Sequence, residues 1–187
     1  CISHYIDRLS RLSTLMAHPI YSRAATVYRT RGDDKQETFQ RAVDQAGFVP
    51  HVLDNWQASG KPKAEFRIAI KPNIMTASVR EEDSPVYTDP ALVEALIDLL
   101  RAEGFELFVV VESQNVYNYA YQGRTVPAVA EMCGYSAEGY DVVDLTEDTV
   151  TFDYGGALGQ HIAGRAWVEA DYRISFAKNK SHWQCYY

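Results

Sequence analysis

Three apolar runs in this chain read as strands, and each stops at a polar cluster. Phe66-Arg67-Ile68-Ala69-Ile70 leads into Lys71-Pro72-Asn73. Leu107-Phe108-Val109-Val110-Val111 leads into Glu112-Ser113-Gln114-Asn115, and Tyr172-Arg173-Ile174-Ser175-Phe176-Ala177 into Lys178-Asn179-Lys180-Ser181-His182. Between the first two runs, Leu92, Val93, Leu96, Ile97, Leu99 and Leu100 recur at helical spacing over residues 90–103. Thr88-Asp89-Pro90 supplies the start signal of that helix and Gly104 the stop. Strand, helix, glycine and strand in this order predict a βαβ unit with parallel strands.

The rest of the pattern is more local. Ile6, Leu9, Leu12, Leu15 and Met16 predict an amphipathic helix over residues 3–16, and Val27 and Tyr28 a short strand over 24–30. Arg31-Gly32-Asp33-Asp34 reads as a turn and helix N-cap. The helix behind it shows Phe39, Val43 and Ala46 on one face and stops at Gly47. A second helix is expected over 50–58, another over 125–133, and a strand over 140–145. Residues 149–154 read as an edge strand, Gly155-Gly156 as a turn, and 157–169 as a helix or a strap.

These elements predict an α/β domain over residues 65–187, behind a helical N-terminal extension over 1–64. The domain is expected to be three-layered and Rossmann-like, with a mostly parallel sheet and flanking helices. In such sheets ligands bind beyond the carboxyl ends of the strands. If the three key strands are parallel neighbours, their polar clusters converge on one site.

With 187 residues the chain suits one domain with a full core. A net charge of −7 argues against a general nucleic-acid partner, and it makes the local basic group Lys178, Lys180 and His182 stand out. No apolar run reaches the roughly 18 residues of a membrane span. Cys1, Cys133 and Cys185 are too far apart for a C-x-x-C site. Reduced thiols and a cytoplasmic location are the expectation, and Asn179-Lys180-Ser181 is then a chance glycosylation sequon. The start at Cys1, running straight into a helical pattern, favours excision from a longer chain over a mature lipoprotein.

The candidate chemistry sits in the three clusters. Lys71 is a mobile point charge suited to an anion, and Asn73 offers both donors and acceptors. Glu112, half desolvated at a strand end, suits a general base or a hard-cation ligand; its plainer role is an ion pair with Lys71 or Lys178. Ser113 follows as a further donor. If the last segment stays extended, Lys178, Lys180 and His182 share one side and aim three donors at a phosphate or carboxylate. His182 also suits metal ligation or proton transfer. Tyr117, Tyr119 and Tyr121 form either an aromatic wall or, more commonly, packing against a helix. Gly155-Gly156-Ala157-Leu158-Gly159 is neither a dinucleotide fingerprint nor a P-loop. G-x-S-x-G and H-E-x-x-H are absent.

Several of these stretches together resemble the family catalogued as domain of unknown function 362. They are Ile70-Lys71-Pro72-Asn73, then Tyr87-Thr88-Asp89-Pro90-Ala91-Leu92-Val93-Glu94-Ala95-Leu96, then Gly104 with Val109-Val110-Val111-Glu112-Ser113. Ala170-Asp171 and Lys178-Asn179-Lys180-Ser181-His182 complete the order as Asp…Lys-x-Lys-x-His. The similarity covers roughly residues 65–187. It implies an α/β domain, often met beside an iron–sulfur ferredoxin-like module. The cysteine run of that module is missing here, so no cluster is carried over. The family pattern continues past the histidine segment, so the domain is expected to be incomplete at its C-terminal end. The family brings no common reaction.

The leading expectation is a domain binding a small anionic molecule through Lys71, Lys178 and Lys180, with Asn73 orienting it. Glu112 and His182 would then supply acid–base chemistry or hold a divalent metal. The rival is a non-catalytic partner module that docks to an iron–sulfur protein through an apolar patch around Trp183, Tyr186 and Tyr187.

Overall fold

The computed structural model describes residues 26–75, 80–114 and 123–178. The chain divides into two compact units, Cys1–Ala46 and Gly47–Tyr187. In the first, helix α1 spans Lys35–Gln45. Asp34 is its N-cap: the carboxylate accepts the Glu37 N–H at 2.7 Å, which satisfies one of the orphan donors of the first turn. The strand expected over 24–30 does not form in its described part. Residues 26–30 have no regular structure, and Val27 is 87% exposed. Strand propensity without a partner to complete the ladder does not hold a strand. The helix expected over 3–16 lies outside the described residues.

The second unit begins with α2 (Phe48–Ser59) and a single 3-10 turn (Lys63–Glu65), and β1 (Arg67–Lys71) follows. Next come α3 (Pro90–Ala102), β2 (Leu107–Glu112), α4 (Val126–Cys133) and β3 (Asp141–Asp144). The described chain closes with β4 (Thr149–Asp153), β5 (Gln160–Gly164), α5 (Arg165–Val168) and β6 (Tyr172–Ser175). A four-stranded sheet runs in the order β3-β2-β1-β6, and every neighbouring pair is parallel. This is the α/β architecture that the alternation of apolar runs and helical stripes predicts.

β1 and β2 are the inner strands, and their sequences show why. Ile68, Ala69, Ile70, Phe108, Val109, Val110 and Val111 are all buried, as a strand covered on both faces requires. The register pairs Ile68 with Phe108 and with Tyr172. On that face Phe48 and His51 of α2 meet the Tyr172 ring edge-on. On the other face Ala69, Val109 and Val111 pack with Val143, Leu145, Ala166, Trp167 and Ala170. α3 buries Val93, Leu96, Ile97 and Leu100 and ends at Gly104, whose φ of +90° only glycine adopts without strain.

Residues 157–169 are neither a helix nor a strap. Gln160–Gly164 is a strand, paired antiparallel with β4 in a separate two-stranded sheet, and only Arg165–Val168 is helical. The Tyr154 N–H donates to the Gly159 carbonyl at 2.9 Å across the turn that Gly155 and Gly156 begin. A six-residue loop and the unalternating Gln160-His161-Ile162-Ala163-Gly164 hide this hairpin from a period-2 reading.

Candidate functional site

The chain leaves β1 for β2 and β3 on one side, then returns to lay β6 on the other. The point where strand order reverses is therefore the gap between the carboxyl ends of β1 and β6. Open parallel sheets bind ligands at such a switch point. Lys71 and Asn73 leave from β1 and Lys178 follows β6. Glu112 ends β2 one strand further over. With neighbouring strands about 4.8 Å apart, the ends of β2 and β6 lie about 10 Å apart. The three polar clusters thus share one edge, as far as each is described.

The centre of that edge is an ion pair. Lys71 Nζ lies 2.7 Å from Glu112 Oε1. The Glu112 side chain is 8% exposed and that of Lys71 is 37% exposed, so the carboxylate is the desolvated partner. Of the two cations that the sequence offers Glu112, the structure selects Lys71. The Ser113 N–H donates to the same Oε1 at 2.9 Å. Among the described residues nothing bonds Oε2, nor the Ser113 hydroxyl.

A second network fixes the exits of β1 and β6. The Asn73 N–H donates to Thr88 Oγ1 at 2.9 Å, and the Thr88 hydroxyl donates to the Phe176 carbonyl at 3.1 Å. The Thr88 N–H donates to the Asn73 carbonyl, and the Phe176 N–H to that of Lys71, both at 2.9 Å. The Tyr135 hydroxyl donates to the Thr88 carbonyl at 3.2 Å. Burial, with acidic neighbours adding to it, raises the Tyr135 pKa far above the ordinary phenol value, which keeps it a donor. The Asn73 side chain takes no part: its Oδ1 is buried without a hydrogen-bond partner among the described residues. Buried polar atoms are nearly always paired, so Asn73 Oδ1 is an exception among the described residues.

Two residues here escape the sequence reading. Thr88 reads as part of a helix start, yet the N-cap is Asp89, whose carboxylate accepts the Ala91 N–H at 2.9 Å. Asp144 reads as strand interior, yet it ends β3 in register with Glu112 and is buried. Its carboxylate accepts the Thr146 N–H at 2.9 Å, the Thr146 hydroxyl and the Gln114 side-chain amide. The signal for Asp144 was the Asp-Leu-Thr spacing of an Asx-turn. For Thr88 no local signal exists, because its partners are 15 and 88 positions away.

Asp171, the aspartate of the Asp…Lys-x-Lys-x-His pattern, lies at the opposite end. It accepts from Lys61 Nζ at 2.7 Å and from the Arg67 N–H at 2.9 Å, tying together the starts of β1 and β6. A cavity of about 170 Å³ also opens at that amino end, lined by Arg67, Leu107, Asp141 and Ala166 among others. It is separate from the carboxyl-edge clusters. Lys178 is part-buried just beyond β6. Lys180, His182, Tyr117, Tyr119, Tyr121 and the aromatic group Trp183, Tyr186 and Tyr187 lie outside the described residues. Among the described residues no group of three or more His, Cys, Asp or Glu side chains is placed to hold a metal, and no helix is long and apolar enough to cross a membrane.

No curated protein and no solved structure matches the chain. A family model described as Domain of unknown function (DUF362) matches residues 68–187, from the second residue of β1 through the segment beyond β6. That match spans well over half the chain and takes in the sheet and its carboxyl edge, and the chain belongs to the DUF362 family.

Proposed function

We propose that this domain binds a small anionic molecule at the switch point between β1 and β6. The observation that carries the reading is the coincidence of that point with Lys71, Asn73 and Lys178. Lys71 holds Glu112 at 2.7 Å and donates to the Pro72 carbonyl at 3.4 Å, which leaves one of its three N–H donors to offer. The Asn73 amide and the Ser113 hydroxyl add neutral donors. Lys180 and His182, two and four residues beyond Lys178, extend the donor set along the chain. Glu112 Oε2 stands beside the bound group as an acceptor, suited to taking a proton from it. A divalent metal held by Glu112 and His182 is the other chemistry this set supports.

Inorganic phosphate is the first probe, titrated calorimetrically against wild type, K71R and K178Q. Lys71→Arg keeps the charge beside Glu112 but changes the donor geometry. The expected result is phosphate binding that weakens about tenfold, or 1.4 kcal/mol, in either variant. Equal affinity in all three proteins would overturn the reading. Metal content of wild type beside H182A tests the metal: stoichiometric metal lost in the variant places it there.

A further inference from the structure

The pairing of β1 with β6 stops in an unusual way. The last register pair is Lys71 with Ser175, and the Phe176 N–H then donates to the Lys71 carbonyl. In a parallel ladder the next bond runs from the Asn73 N–H to the Phe176 carbonyl. That bond is missing. The Thr88 hydroxyl stands in its place, accepting from Asn73 at 2.9 Å and donating to Phe176 at 3.1 Å. One direct bond of about 2.9 Å has become two in series. The hydroxyl thus bridges the two exits at the point where strand order reverses.

We propose that Thr88 is the positioning residue of this edge, a wedge whose hydroxyl holds the β1 and β6 exits apart at the width an anion needs. The inference rests on the anion-binding reading above. Thr88 is 4% exposed, so it acts through Asn73 and the Phe176–Lys178 segment and does not itself meet the ligand. Its own backbone is pinned on both sides. Its N–H is held by the Asn73 carbonyl, and its carbonyl accepts from Tyr135. The hydroxyl thus has little freedom to drift, and the spacing it sets is a property of the fold. A hydroxyl both accepts and donates, which a bridge between an N–H and a carbonyl requires; an apolar side chain of the same shape does neither.

The test compares T88S, T88V and T88A in the full chain, with inorganic phosphate affinity and amide exchange at Asn73 as readouts. T88S keeps the bridge and is expected to bind within about twofold of wild type, with the Asn73 amide protected. T88V and T88A are expected to bind about tenfold more weakly and to lose that protection, while unfolding stays cooperative. T88A, with room for a water, is the measurement to rely on if T88V does not fold. Wild-type affinity in a folded T88A, or fast Asn73 exchange in wild type, would overturn the wedge. If wild type binds no phosphate, the anion reading fails; loss of Asn73 protection in T88A but not T88S then still supports the bridge, and its retention overturns it.

Discussion

β1 and β6 are closed at both ends by a side chain that takes the place of a ladder bond, and the two ends differ in what is left over. At the amino end the Asp171 N–H donates to the Arg67 carbonyl at 3.0 Å, and the Asp171 carboxylate takes the Arg67 N–H. Lys61 completes the arrangement. The charge is matched and the groups are paired. At the carboxyl end Thr88 bridges the strands, but the Asn73 side-chain amide, one oxygen of Glu112 and the Ser113 hydroxyl have no partner among the described residues. Similar residue types therefore do two jobs. Where hydrogen-bonding capacity is used up, the residues hold the fold; where it is left over, the anion-binding proposal has donors and acceptors to draw on.

The comparison breaks most visibly at Lys71. Lys71→Met leaves Glu112 as a desolvated carboxylate without its cation. Breaking a buried pair this way costs 3–5 kcal/mol, but the Lys71 ammonium is over a third exposed, so about 2 kcal/mol is the expected loss in urea unfolding. Lys71→Met combined with Glu112→Leu should recover part of it, because the unpaired charge is gone. A full 2 kcal/mol loss persisting in the double variant would mean that Lys71 packs rather than pairs.

Asp171→Ala sharpens the contrast from the other side. It removes the acceptor of the Arg67 N–H and of Lys61, for an expected loss of about 1–2 kcal/mol. Phosphate affinity should not change, since the site is at the far end of the sheet. The same residue sets an acid limb. Desolvation pushes the Asp171 carboxyl up, but hydrogen bonds from Lys61 and the Arg67 N–H outweigh it and leave the folded value below the ordinary 3.8. The folded state then binds fewer protons than the unfolded one. Its contribution is present above the ordinary carboxylate value and is lost as pH falls through the lower folded value. Unfolding midpoints between about pH 5 and pH 2 should fall less steeply in Asp171→Asn than in wild type.

How much of this the sequence carries depends on distance along the chain. β1, α3 and β2 are legible because periodicity and Gly104 are local signals, and Lys71, Asn73 and Glu112 come with them as strand-end polar residues. That β6 lies beside β1 is not written in any local pattern, since a parallel partner a hundred residues away is chosen by the packing of the whole sheet. The roles of Thr88 and Asp171 follow only from that choice. Both residues sit in stretches that stand out in the sequence. Their hydrogen-bond partners, and hence the difference between a wedge and a clamp, exist only once β6 is in place.

Asn73 offers the smallest stability effect and the sharpest separation of the two ends. Its backbone is committed to Thr88, while its buried Oδ1 has no partner among the described residues. Asn73→Leu keeps the backbone bonds and the same branched four-atom side-chain frame, and it removes a carbonyl that is unsatisfied among the described residues. Stability should be unchanged or rise by up to about 1 kcal/mol, the penalty relieved. Phosphate affinity should fall severalfold, because the neutral donor at the switch point is gone. A stabilised variant that binds less well is what a residue kept for a ligand produces. A variant at Asn73 that loses stability and keeps its affinity would place this residue with Asp171, among the groups that only hold the fold.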